Sequence, residues 1–215
     1  MSRKHIITES RTDLSTILLI QGETEISDSS VYHHTIANTG VMIQDNSMYF
    51  DGSSMLNVNI GDLKITDGVF TLEMWLKLAN VNKSYKCVAD LCDHQVLYFD
   101  ASDNRDGTLV LVGGRASWQA NGSYLMSADK SVFLSTQWQH VAIVGDGTKN
   151  RIFVNGILKT GDHFDNCTNL LNMGNGKIRF GNIALNMSRY YRGWMKHIRL
   201  SNVARYTGNF DVTNL

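Results

Sequence analysis

The sequence predicts an all-β protein, an antiparallel two-sheet sandwich of the jelly-roll type. Three observations carry that prediction. Phe70, Leu72, Met74, Leu76 and Leu78 alternate with Thr71, Glu73, Trp75 and Lys77, a period of two that gives a strand with one apolar face. Its second face mixes Thr, Glu, Trp and Lys, which suits the middle of a sheet in a two-layer sandwich. Around it, short apolar runs alternate with Gly, Asn and Asp turn signals, and no amphipathic helical period breaks the series.

The elements follow in order. Residues 1–15 are polar and aperiodic and read as an N-terminal arm or attachment segment; residues 16–215 form the sandwich domain. Ser15 to Ile20 is a short buried strand. Gln21 to His34 is a polar loop with turn chemistry at Asp28-Ser29-Ser30. Val41 to Ile43, Ser47 to Phe50 and Met55 to Ile60 are strands, with Asp51-Gly52 and Asp67-Gly68 as turns. Cys87 to Leu91 and Gln95 to Phe99 flank a polar turn. Thr108 to Val112 is continuously apolar and is expected to be buried on both faces. Trp138 to Val144 alternates again. Arg151 to Val154, Asn155-Gly156 and Ile157 to Lys159 give the strongest hairpin signal in the chain. Lys177 to Ile183 and Gly193 to Leu200 complete the strands. The aromatic tail, Ala204 to Phe210, is expected to pack back on the body.

Composition excludes several classes. Twenty basic residues balance twenty acidic ones in a chain of 215, which argues against nucleic acid or an anionic membrane as the main partner. No apolar run approaches the roughly 20 residues of a membrane helix. Ile6-Ile7 gives way at once to Thr8, Glu9 and Ser10, so no signal-peptide core follows Arg3 and Lys4. Synthesis in a cytoplasm is the expectation. Cys87, Cys92 and Cys167 are an odd set without zinc-like spacing and read as thiols, with a Cys87–Cys92 or Cys92–Cys167 bridge left open. The chain has no proline, so no prolyl isomerisation slows its folding.

The order Tyr49-Phe50-Asp51-Gly52-Ser53, Phe70 to Leu76, Trp138-Gln139-His140-Val141-Ala142, Ile152-Phe153-Val154-Asn155-Gly156 and Gly193-Trp194-Met195 leading to Ile198-Arg199-Leu200 resembles the laminin-G-like jelly rolls of the concanavalin A-like lectin/glucanase superfamily. The resemblance covers about residues 16–212. The ending, Arg199 to Phe210, resembles versions found in bacteriophage structural and tail-associated proteins. The resemblance implies a non-catalytic virion protein, a decoration or fibre-associated subunit. Such a protein would attach to other virion subunits through its N-terminal arm, form a homo-oligomer and bind surface glycans. A free bacterial carbohydrate-binding module is the alternative reading, and a glycoside hydrolase the weaker one. Where many relatives carry an acidic pair after the Gly-aromatic step, this chain has Lys196 and His197, and lysine cannot ligate a hard cation.

Catalysis finds little support. Glycoside hydrolysis needs two carboxyl groups flanking the scissile bond, and the glucanase pattern Glu-x-Asp-x-x-Glu is absent. The only glutamates are Glu9, Glu23, Glu25 and Glu73. Glu73 reads as a hydrogen-bonded structural residue. No His-x₃-His pair and no Gly-x-Ser-x-Gly elbow occurs. Calcium is the one cofactor the family raises, with Asp51 and the Asp100, Asp103 and Asp106 cluster as hard oxygen ligands. Sugar binding calls for aromatic platforms beside hydroxyl-binding polar groups. Loops supply Trp118 with Asn121, Tyr190-Tyr191, and Tyr85. Trp75, Trp138 and Trp194 are assigned to the core.

Overall fold

The computed structural model describes residues 13–61, 65, 68–80, 86–91, 95–99, 109–112, 124–126, 136–159, 176–183, 190–213 and 215. Fifteen strands occur among them: β1 (Thr16–Ile20), β2 (Ile36–Thr39), β3 (Met42–Ile43), β4 (Met48–Asp51), β5 (Met55–Asn59), β6 (Val69–Leu78), β7 (Lys86–Leu91), β8 (Gln95–Phe99), β9 (Leu109–Val112), β10 (Tyr124–Met126), β11 (Gln139–Asp146), β12 (Asn150–Val154), β13 (Ile157–Leu158), β14 (Lys177–Phe180) and β15 (Arg192–Ser201). They form two antiparallel sheets, and no described residue lies in a helix.

The first sheet runs β13-β12-β11-β6-β15-β4-β3, with β1 also on β15. The second runs β10-β9-β8-β7-β14-β5-β2. β6 pairs with β11 on one side and β15 on the other, so the strand with the clearest period of two lies in the middle of its sheet. Its apolar positions are all buried, and they meet Leu56, Val58, Ile178 and Phe180 of the second sheet in one core cluster. Each such side chain contributes about 1.5–3 kcal/mol by leaving water.

β15 changes partner along its length. Residues 192–195 pair with β4 and residues 198–201 with β1. Between them its register with β6 shifts, and one extra residue fits between Lys196 and Arg199. His197 there adopts φ 50, its N–H donates to the Gln21 carbonyl at 2.9 Å, and its ring meets Glu23 at 2.9 Å. The bulge lets Met195 and Ile198 both face the core while Lys196 and Arg199 both face outward.

Strand assignments agree with the sequence pattern except at β10, where no strand was expected, and at β2. Its four residues, Ile36-Ala37-Asn38-Thr39, are almost wholly exposed and pair only with β5. Only Ile36 packs against the core, so this polar edge strand leaves no apolar period to read. The Asn155-Gly156 hairpin forms with positive φ at both residues, as a two-residue turn between β12 and β13 requires. Asp28 organises the 21–34 loop, accepting the Leu19, Ser30 and His34 N–H groups and the Ser30 hydroxyl.

Asp13 and Ser15, at the end of the expected arm, make contacts with the body. Asp13 is hydrogen-bonded by Ser15 and Thr16 and pairs with Arg205 near the other end of the chain. These donors hold the Asp13 carboxyl well below the usual carboxylate range against the opposing effect of its burial.

Candidate functional site

Strand register lines up the outward side chains of the first sheet in rows. One row reads Ala142, Glu73, Arg199 across β11, β6 and β15. The next reads His140, Trp75, Lys196. In the following row Lys77 pairs with Trp194, Trp194 with Tyr49, and Tyr49 with Met42. Trp138, the residue before β11, places its ring near Lys77 at the other end of that row.

The C-terminal segment covers the rows around Glu73. The Thr71 hydroxyl donates to the Val203 carbonyl at 2.8 Å and accepts the Arg205 N–H at 2.9 Å. Tyr206 stacks on Phe210 with centroids 3.6 Å apart, and Phe210 meets Phe153 edge-on at 5.4 Å. Beneath them Glu73 is 2% exposed. Its Oε1 accepts from Arg199 Nε at 2.7 Å and its Oε2 from the Tyr206 hydroxyl at 2.7 Å. His140 Nε2 lies 3.2 Å from the same Oε2. Burial pushes the Glu73 carboxyl up, but the His140 hydrogen bond, the Arg199 charge and the remaining donors outweigh it and hold it at about 2. A glycosidase acid needs the opposite shift, so the geometry gives Glu73 a structural role.

Beyond this covered half lies an aromatic and cationic surface. Trp75, Trp138, Trp194, Tyr49, Lys77 and Lys196 are all partly exposed. Lys77 Nζ lies 4.3 Å from the Trp194 ring centroid and 5.5 Å from that of Trp138. Lys196 Nζ lies 5.2 Å from the Trp138 centroid. Tyr49 tilts against Trp194 at 5.0 Å, and Trp75 meets His140 edge-on at 5.4 Å. Each cation–π contact is worth about 0.5–1 kcal/mol where exposed and about 2 when desolvated. Neither ammonium has an ion-pair partner among the described residues. The Trp194 Nε1–H is enclosed and finds no acceptor.

This surface corrects the assignment of Trp75, Trp138 and Trp194 to the core. They are half-buried against Tyr49, His140 and the two lysines on the outer face, not because they face the second sheet. The signal for it is present in the sequence. Trp75-Leu76-Lys77 and Trp194-Met195-Lys196 each place Trp and Lys on one strand face. The strands run antiparallel, so each lysine lies opposite the other strand's tryptophan.

The candidates expected on loops fare differently. Tyr191 is fully buried between Phe50, at 5.9 Å edge-on, and Phe99, at 6.5 Å. Its hydroxyl lies 3.1 Å from the Lys77 carbonyl and 3.2 Å from that of Trp194, and burial raises its phenol pKa. Tyr191 is therefore a core residue and presents no face to a sugar, while Tyr190 beside it is half-buried. Trp118, Asn121 and Tyr85 lie outside the described residues, as do Asp100, Asp103 and Asp106. Asp51 Oδ1 accepts from the Ser53 N–H, the Ser53 hydroxyl and the Ser54 N–H, which lower its pKa, the Ser53 N–H most. Calcium takes six to eight oxygen ligands as a rule, and the described residues hold no group of three His, Cys, Asp or Glu that could share one ion.

A laminin G family model, described as the concanavalin A-like lectin/glucanases superfamily, matches residues 50–207. No curated protein sequence matches the chain. Among solved structures, the binding domain of botulinum neurotoxin DC in complex with rat synaptotagmin II superimposes with a TM-score of 0.69 at 16% identity, over 89% of this chain and 49% of that one. The same toxin's binding domain in complex with SialylT gives 0.67 at 15% identity, over 92% and 50%. The serotype C1 binding domain gives 0.65 at 15%, over 89% and 50%. The chain thus spans about half the length of these structures, and the likeness at such identity is one of fold. On the family match and the two-sheet architecture together, this chain belongs to the concanavalin A-like lectin/glucanases superfamily.

Proposed function

We propose that this chain is a non-catalytic, lectin-like binding module of a bacteriophage particle, a decoration or fibre-associated subunit that grips surface glycans. The observation that carries the glycan reading is the half-exposed surface of Trp75, Trp138, Trp194 and Tyr49 on the outer face of the first sheet. Flat aromatic rings match the apolar faces of pyranose rings. The sheet beneath fixes their positions without any loop ordering, which lowers the entropic cost of binding. Trp118 with Asn121, and Tyr85, are the competing platform on loops.

The non-catalytic reading is supported by the state of the glutamates. Glu73 is buried and shared among three partners, Glu23 pairs with His197, and Glu25 accepts from Ser27. The virion placement rests on the resemblance of the Arg199 to Phe210 segment to phage proteins and on the polar N-terminal arm as the attachment segment to neighbouring subunits. Because Asp13 clamps Arg205, a truncation that spares the fold removes residues 1–12 only.

A glycan array probed with the full chain, once with calcium and once with a chelator, tests the binding reading. Saturable binding to a defined glycan set is expected. Loss on chelation would move the site toward Asp51 and the 100–106 loop. Absence of binding to every glycan would leave a purely structural role. For the virion role, the expected result is that the chain lacking residues 1–12 melts at the full-length temperature yet fails to join particles.

A further inference from the structure

We infer that the outer face of the first sheet selects anionic glycans, those bearing a carboxylate or a sulfate, over neutral ones. This rests on the glycan reading above and narrows it. The His140-Trp75-Lys196 row and the Trp138-Lys77-Trp194-Tyr49-Met42 row contain no carboxylate and no amide side chain. They are rich in donors: two ammonium groups with three N–H each, plus indole N–H groups. Acceptors are scarce enough that the enclosed Trp194 N–H goes without one. A neutral sugar hydroxyl both donates and accepts, and sites for it normally mix Asn or Asp with donors. A surface richer in donors than in acceptors, with the Tyr49 hydroxyl as its partly exposed acceptor, complements a ligand that mainly accepts.

The lysines are held for that task. Lys77 lies over Trp194 and Trp138, and Lys196 over Trp138. Stacking on the rings fixes both ammonium groups near one indole and leaves N–H directions free, since a ring face takes up only part of a three-donor group. The described acids on the neighbouring rows compete weakly. Glu73 is buried and neutralised by Arg199, and Asp51, one row further along, accepts from Ser53 and Ser54.

The test is an array in which carboxylated (uronate and sialylated) and sulfated glycans each stand beside a neutral counterpart of the same backbone, with poly-glutamate as a charge control. The wild-type chain, the double variant Lys77→Gln/Lys196→Gln and Trp138→Ala are compared, each checked for an unchanged fold by thermal unfolding. The expected result is binding confined to anionic glycans, weakened at least tenfold in the double variant and lost in Trp138→Ala. The carboxylated and sulfated arms identify which group is taken. Equal binding to the neutral counterparts, unchanged in the double variant, would overturn the anionic selection and leave the glycan reading intact. No binding to any glycan would overturn both. Poly-glutamate bound as tightly as the best glycan would make the surface a site for an acidic protein and overturn the inference.

Discussion

Tyr206 donates its hydroxyl proton to Glu73 Oε2 at 2.7 Å, joining residues 133 positions apart in the chain. That bond ties the C-terminal segment to the central strand. Arg199, Tyr206 and His140 converge on one carboxylate that is nearly inaccessible to water. Burying a charge costs several kcal/mol unless it is paired and hydrogen-bonded. The tail therefore stands as part of the fold, and it divides the outer face of the first sheet into a sealed half and an exposed one.

Glu73→Gln should leave Arg199 without its buried counter-charge and lower stability by about 3 kcal/mol. Tyr206→Phe keeps the stack on Phe210 and removes only the charge-assisted hydrogen bond, at about 1.5–3 kcal/mol. Chemical denaturation of both variants measures this. Both should retain glycan binding, since Glu73 and Tyr206 lie outside the rows that carry the exposed tryptophans and lysines.

Stability should fall in acid. The Glu73 carboxyl has its pKa lowered from 4.5 to about 2 in the folded chain. The unfolded chain therefore takes up a proton first, and the contribution is fully present above about pH 4.5. It is lost as the pH drops toward 2. The loss is on the order of 3 kcal/mol. Urea unfolding between pH 6 and pH 2.5 should show the decline in the wild type, and Glu73→Gln should make it shallower, leaving the part due to lowered carboxyls such as Asp13 and Asp51.

Gly156→Ala should detach the tail. Gly156 has φ +75, and a Cβ there would run into the Phe210 carbonyl. The Phe210 N–H donates to the Gly156 carbonyl at 2.9 Å, and Asn209 Oδ1 accepts the Leu158 N–H at 2.9 Å. Overlap with backbone cannot be relieved by a side-chain rotation. Limited trypsin digestion should then cut after Arg205 much faster than in the wild type. A destabilisation of about 2 kcal/mol is expected.

The sandwich was legible because the strand at the middle of its first sheet turns alternate apolar residues to the core, which writes a period of two into the sequence from Phe70 to Leu78. The packing of the tail was legible from its aromatics. β2 was not, because an exposed edge strand needs no apolar residues. The candidate site was only half legible. The mixed second face of β6 was visible, yet Trp is usually buried on average, so Trp75, Trp138 and Trp194 were assigned to the core. Tyr191 was expected on a loop because Arg189, Tyr190 and Arg192 surround it with polar signals. Burial of one tyrosine of an adjacent pair depends on β15 pairing with β4 and β6, a long-range fact that local sequence does not carry.

The measurement that tests the central claim most directly sets two variants of the full chain side by side on the same glycan array: Trp138→Ala on the outer face of the first sheet, and Trp118→Ala, outside the described residues. With the outer face as the binding surface, Trp138→Ala loses at least tenfold in affinity while its melting temperature falls only slightly, and Trp118→Ala binds as the wild type does. Unchanged binding by Trp138→Ala together with loss in Trp118→Ala would contradict the account and place the glycan on the loops.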